Sequence, residues 1–288
     1  MIYEYAIQPE VLVEWAKTQR DFRMFERSFG LGTTRIISTF PAQQSRKLQR
    51  YLLRKWPSEM DGLAATRYDA IIEKILECLA VRKFENKDIP LEEWEALVIA
   101  EDQVKPFGVI LSESSLNVER NITLNGVYEL DQLWEHPRQV GVYRTSESLY
   151  NSLKGLLELS SQKITIADPY GFAPGATKFI AFILNELKKT IKEDQFPEVH
   201  LIFDVNKPKA ASVEHVRSDI LNQIGSEFFN TKLKVRGIAS FHNRYIFTEH
   251  GGISLGHGLS LSGDHTQVDE ITLLDKKIYE QRLKDFSE

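Results

Sequence analysis

One cysteine stands among the 288 residues, and a single thiol closes no internal disulfide, so the framework of a small cross-linked secreted domain is excluded. That residue, Cys78, lies in the helical pattern IIEKILECLAV and is expected to be a small buried side chain. Long apolar runs are missing too, for none approaches the roughly 20 residues that a bilayer helix needs. The opening stretch MIYEYAIQPE lacks the basic flank and apolar core of a secretion signal, and a cytoplasmic protein is expected. Nor is there a surplus of positive charge. With 36 Lys and Arg against 41 Asp and Glu the net charge is −5, so any attraction to nucleic acid or anionic lipid has to be local. Internal repeats and low-complexity linkers are absent.

What is present is ordinary globular material, 42% hydrophobic and 27% charged, at a length that favours two cores over one. An α/β protein is expected, with a mainly helical N-terminal domain over 1–140 and a sandwich of helices on a sheet over 141–288. In the first domain PEVLVEWAKT, DFRMFERSF, QQSRKLQRYLLRKW and TRYDAIIEKILECLAVRKF carry apolar residues at three- and four-residue spacing. Arg46, Arg50 and Arg54 share one face of the third helix, which reads as a solvated face before it reads as a phosphate-binding stripe. KPFGVILSE is strand-like, and RNITLNGVYEL reads as a hairpin turning at Asn125-Gly126 that closes the domain. From Tyr143 onward helices and strands alternate, the pattern of helices packed on a buried sheet.

The chemistry concentrates in residues 241–260, FHNRYIFTEHGGISLGHGLS, with three of the chain's seven histidines, one arginine and four glycines. YIF and GGISLG read as two strands meeting at Glu249-His250-Gly251-Gly252. His242 and Arg244 are two apart, so on a strand they face the same way and can address one phosphate, the imidazole as nucleophile and the guanidinium as clamp. Glu249 is placed to hold the imidazole tautomer, and His257 to act as general acid. Backbone amides around Gly256 and Gly258, with Ser260 beyond, can approach an anion closely. Asp168-Pro169-Tyr170 ends a strand where α/β sites form and reads either as part of the same pocket or as a turn. His200 reads as a core or edge-strand residue and His215 as an exposed helix residue. No pair among His242, His250, His257 and His265 has the i, i+4 spacing of helical zinc ligands, so no metal is assigned.

The spacing His242-x-Arg244, four residues, Glu249, six residues, Gly256-His257 resembles the phospholipase D motif, HxK, four residues, D, six residues, GS, with an asparagine following. The order IADPYG, helix, VHLIFDV, helix, KLKVRG, histidine hairpin is similar as well, so the resemblance covers roughly 145–275. It is closer still to the C-terminal phospholipase-D-like domain of MIT-domain proteins, whose HDR and GRGL stand where HNR and GHGL stand here. Arg244, Glu249, His257 and Ser260 depart from the lysine, aspartate, serine and asparagine of the motif. The resemblance implies a two-histidine phosphodiesterase chemistry needing no metal or cofactor. Because only one such motif is present, and His136, His200 and His215 lack its partner residues, it also implies a homodimer that pairs His242 across a two-fold axis. Three readings stay open. The first is a dimeric nuclease of the kind found in bacterial phage-defence systems. The others are an inactive domain holding the phosphate of nucleic acid or lipid, and a scaffold whose residues 1–140 recruit a partner protein.

Overall fold

A computed structural model describes residues 1–58, 62–77, 79–84, 88–261 and 266–286; Cys78, Asp264 and His265 lie outside the described residues. The chain divides into Ile2–Pro137 and Arg138–Glu288, with Met1 joining the second unit. A junction at 140 would cut a strand, because Gln139–Tyr143 is already part of the second sheet.

The N-terminal unit runs β1 (Tyr3–Ile7), α1 (Pro9–Lys17), α2 (Gln19–Ser28), β2 (Arg35–Ser38), α3 (Ser45–Arg54), α4 (Gly62–Glu77), β3 (Leu79–Ala80), α5 (Trp94–Val104), β4 (Val109–Ser112), β5 (Asn121–Thr123) and α6 (Leu124–Tyr128). α1 to α4 fall on the four expected helical segments, with Leu48, Tyr51 and Leu52 of α3 buried, while α5 and α6 were not expected. Beneath them lies a five-stranded sheet of order β3-β2-β1-β4-β5, parallel throughout. Its strands are two to five residues long and mostly buried. So short an apolar run carries no period by which sequence could tell it from helix.

The expected hairpin at Asn125-Gly126 is absent. Thr123 ends a strand parallel to β4, and its hydroxyl accepts the Gly126 N–H at 3.4 Å, capping α6. Ile122 and Val127 are buried beneath it, and a Thr cap with helically spaced apolar residues outweighs the turn preference of Asn-Gly.

One polar cluster lies inside this unit. The Arg82 guanidinium, 1% exposed, donates to Glu4 of β1 at 2.6 Å, to Glu101 of α5 at 2.8 Å and to the Lys105 carbonyl, and stacks over Phe107 at 3.6 Å. Ser38, ending β2, donates to the other Glu4 oxygen at 2.6 Å. Burial pushes the Glu101 carboxyl up, with Arg82 opposing. Arg82→Ala leaves two buried carboxylates facing each other, and chemical denaturation is expected to show a loss of about 3–5 kcal/mol.

The C-terminal unit runs β6 (Gln139–Tyr143), α7 (Ser146–Glu158), β7 (Lys163–Ala167), α8 (Pro174–Thr190), β8 (Glu198–Asp204), α9 (Val213–Ile224), α10 (Phe229–Lys232), β9 (Leu233–Ile238), β10 (Arg244–Thr248), β11 (Gly251–Leu255), β12 (Val268–Leu273) and α11 (Lys276–Asp285). These strands make a seven-stranded sheet of order β6-β12-β11-β10-β7-β8-β9. β7, β8 and β9 are parallel, and β10 runs antiparallel to β7. Tyr245 and Phe247 of β10 stack against Phe286 and Tyr279 at α11, while Ile164, Ile166 and Ile246 are buried on the other face. The antiparallel pairing puts the start of β10 beside the C-terminal ends of β7 and β8, where sites on α/β sheets form.

Candidate functional site

β10 and β11 form the expected hairpin, turning at Glu249-His250 with Thr248 paired to Gly251, whose φ of 147° suits glycine. His242 and Arg244 lie at its open end. Arg244 begins β10 and His242 stands two residues before it with an exposed ring.

Glu249 is at the other end, a strand length or roughly 15 Å from Arg244, so it cannot orient the His242 imidazole. It instead accepts from Ser161 N–H at 2.6 Å, Gln162 N–H at 3.2 Å and the Ser160 hydroxyl at 2.8 Å, tying the hairpin turn to the start of β7. Burial alone would raise its carboxyl, but the charge of His250 and these donors outweigh burial and hold it below its ordinary 4.5. His250 is buried in the same turn with Nε2 3.0 Å from the Leu159 carbonyl, away from the other two histidines of the stretch.

Around Arg244 the structure assembles groups from four strand ends. Asp168, directly after β7, accepts from Tyr170 N–H and Leu259 N–H, each at 2.8 Å, and lies 4.0 Å from Arg244 Nε. Burial pushes the Asp168 carboxyl up, the two amides and Arg244 pulling against it. Asp204, ending β8, is buried too, yet the amides of Asn206, Ser240 and Phe241 together with Lys207 hold its carboxyl down. Lys207 reaches from the loop after β8 to within 3.5 Å of His242 Nδ1 and 3.7 Å of Asp204. Tyr170, 41% exposed, has its ring close to both cations, 5.5 Å from Lys207 Nζ and 5.9 Å from Arg244 Cζ. Arg244 also donates to the His242 carbonyl at 3.4 Å, and among the described residues its buried Nε has no hydrogen-bond partner.

The loop after β11 closes over this cluster. Gly258 has φ of 80°, and a Cβ there would meet the Asp168 carboxylate and, at 2.7 and 2.8 Å, Arg244 Cδ and Nε. Of the amides expected to cradle an anion, Gly256 N–H donates to the Glu270 carbonyl at 3.1 Å, and the neighbouring His257 N–H and Leu259 N–H donate to Asp269 at 2.9 Å and to Asp168 at 2.8 Å. Ser260 accepts from Arg144 through its carbonyl. The His257 ring is 64% exposed, with Nδ1 3.3 Å from the Asp269 carboxylate.

Of the residues singled out in the sequence, the structure brings His242 and Arg244 together with Gly258 packed against Arg244 and places Asp168 beside them, while Lys207 and the contact of Asp269 with His257 had not been singled out. Lys207 had a signal, three residues beyond a strand running into the edge where α/β sites form. His200 lies in β8 with Nε2 3.1 Å from Glu198, and His215 is exposed at the first turn of α9. A crevice in the N-terminal unit is lined by Glu10, Glu92, Glu93 and Glu95 with Lys55, the wrong sign for a phosphate.

No family model matches the sequence, and no curated protein matches it. Among solved structures the chain is similar to Nuc, a phospholipase D family member from Salmonella typhimurium. The two are 12% identical, with 52% of this chain and 91% of that one covered and a TM-score of 0.35. It is also similar to TrmBL2, an archaeal chromatin protein with a novel mode of DNA binding, at 11% identity over 84% of this chain and 77% of that one, with a TM-score of 0.33. At these values neither similarity assigns a residue or an activity. Among the described residues no helix is long and apolar enough to cross a membrane.

Two substitutions test the architecture. Gly258→Ala forces a β-carbon onto Asp168 and Arg244 at a φ that only glycine adopts freely, and a loss of about 1–3 kcal/mol is expected in denaturant unfolding. Glu249→Gln removes a carboxylate whose folded pKa is depressed, a contribution fully present above the unfolded value and lost as pH falls through the folded one. The variant is expected to be about 1–3 kcal/mol less stable at neutral pH, with the gap closing below the ordinary 4.5.

Proposed function

We propose that the C-terminal unit binds the phosphodiester backbone of single-stranded nucleic acid at the open end of the β10–β11 hairpin and cleaves it without a metal. The observation that carries this reading is the grouping of Lys207, His242 and Arg244 around the exposed Tyr170 ring. The two nearest carboxylates, Asp168 and Asp204, are buried and engaged by backbone amides, so the cations and the imidazole are the groups left to meet a phosphate. Tyr170, with the partly exposed Phe241 beside His242, supplies flat faces on which bases stack, the combination that single strands require. A local cationic patch of this kind also fits a chain whose net charge is −5.

The environment of His242 bears on its role. An ammonium can only donate, so Lys207 beside Nδ1 favours the tautomer with the proton on Nε2. In that form the outward nitrogen gives a hydrogen bond to an oxyanion and has no lone pair for attack on phosphorus.

Fluorescence titration of a single-stranded oligonucleotide in EDTA tests the binding. Arg244→Ala and Lys207→Ala are each expected to weaken affinity about tenfold and to lower the slope of log affinity against log salt by about 0.7 for each phosphate no longer neutralised. Unchanged affinity and slope in both variants would refute the site.

A further inference from the structure

The helices of this chain mostly set opposite charges one turn apart. Glu14 pairs with Lys17 on α1, Arg23 with Glu26 on α2, Glu186 with Lys189 on α8 and Arg282 with Asp285 on α11. Each of α1, α2, α4, α5, α7, α8, α9 and α11 carries at least one acidic residue. α3 carries none. It holds Arg46, Lys47, Arg50 and Arg54, all exposed, and is followed by Lys55.

That composition is unfavourable to the helix itself. Arg46 and Lys47 lie in the first turn, at the positive end of the macrodipole, where α3 has neither an acidic residue nor a side-chain cap. Arg46 with Arg50, and Arg50 with Arg54, are like charges at i, i+4 and repel each other. Among the described residues none of these four cations pairs with a carboxylate, and Arg50 Nε reaches only the Arg46 carbonyl, at 3.4 Å. Lys55 stands apart on the flank of Tyr51 and pairs with Glu10 at 3.2 Å. A row of charges that weakens its own helix is accounted for by a polyanion that it meets from outside.

The surroundings of the row favour one polyanion. Leu48, Tyr51 and Leu52 are buried in the core, where the Tyr68 hydroxyl of α4 donates to the Leu52 carbonyl at 2.9 Å. A helix lying in a membrane surface needs that apolar face for the acyl chains, and the outward side of α3 offers only Leu53. No exposed aromatic ring stands in the row either, for Tyr51 is buried and Trp56 packs on Tyr68 with ring centroids 4.7 Å apart. Unlike the hairpin end, this face has no platform for unpaired bases. Four residues advance a helix by about 6 Å, so the guanidinium groups follow one another in steps comparable to those between neighbouring phosphates of one strand. A duplex presents such a row while keeping its bases stacked inside.

We propose that α3 holds the phosphate backbone of a nucleic-acid duplex through Arg46, Arg50 and Arg54, without reading its sequence. Each guanidinium fork takes two oxygens of a phosphate, and backbone contacts of this kind position a duplex while carrying no base information. The surface belongs to the N-terminal unit, and the proposal does not rest on the phosphodiester reading of the hairpin end.

The test titrates the full-length protein with a fluorescent blunt duplex of mixed sequence, as DNA and as RNA, and with phosphatidylserine vesicles. R46Q/R50Q/R54Q is expected to weaken duplex affinity at least about tenfold and to lower the slope of log affinity against log salt by about 0.9 for each arginine on DNA. Glutamine keeps the helix propensity of these exposed positions, so circular dichroism should match the wild type. R46K/R50K/R54K, which retains the charges, should retain the salt slope; a loss equal to that of the glutamine variant would mark a structural effect and overturn the proposal. K276Q/K277Q/K284Q removes as much exposed charge from α11 and should leave duplex affinity within about threefold, whereas an equal loss there would reduce the effect to net charge and overturn it too. Arg244→Ala should leave duplex affinity unchanged, so failure at the hairpin end and failure at α3 are read separately. Dependence on the arginines with either duplex supports the proposal, and the tighter of the two names the source. A wild-type protein that binds neither duplex, unchanged affinity and slope in R46Q/R50Q/R54Q, or a loss confined to the vesicles would overturn it.

Discussion

The site is organised by the carboxylate of Asp168. It ends β7, and its oxygens take one amide from its own turn, at Tyr170, and one from the loop after β11, at Leu259. With Arg244 Nε 4.0 Å away, a single buried group joins β7, β10 and the loop that covers both. Burial raises the cost of its charge, and the amides and guanidinium offset that cost only while all of them stay in place. Loop position, guanidinium position and the ring of Tyr170 are therefore coupled through one side chain. Asp204 does the same for the approach to β10, where the amides of Ser240 and Phe241 converge on it and Ser240 takes a φ of 60°. Two buried acids, each saturated by main-chain donors, set out the cations above them.

Sequence revealed the parts of this arrangement that depend on local chemistry. The histidine hairpin was legible because Gly251 and Gly252 follow a short apolar run, Tyr245-Ile246-Phe247, and permit a tight turn. The alternation of helices and strands after Tyr143 was legible because α7, α8 and α9 each carry a clear apolar stripe. The parallel sheet of the N-terminal unit was not, since parallel strands are buried on both faces and several of these span no more than four residues. Glu249 shows the limit of reading a motif by spacing. Five residues along a strand is one full strand length, so a group at the far end of β10 serves the far end of the sheet. Lys207 and Asp269 come into the site from other strands, and only the register between strands brings them there.

A net charge of −5 and a cationic site are compatible because the two act over different distances. Acidic side chains across the surface are screened beyond about 10 Å at ordinary salt, while a phosphate at the proposed site would meet Lys207 and Arg244 at contact distance. The acidic crevice of the N-terminal unit repels the same ligand, which leaves the hairpin end as the favourable place for a phosphate among the crevices described.

The difference between the two exposed histidines follows from which strand stands behind each. His242 precedes β10, whose neighbour on that side is β7, and the group at its Nδ1, Lys207, comes from the loop after β8, one strand further on. His257 leaves β11 on the side of β12, and what β12 places behind it is Asp269, an acceptor. A donor stands at Nδ1 of one ring and a carboxylate at Nδ1 of the other, so chemically identical rings meet neighbours of opposite charge. Sequence spacing reports which strand a ring is on, and the register between strands decides which charged group stands behind it.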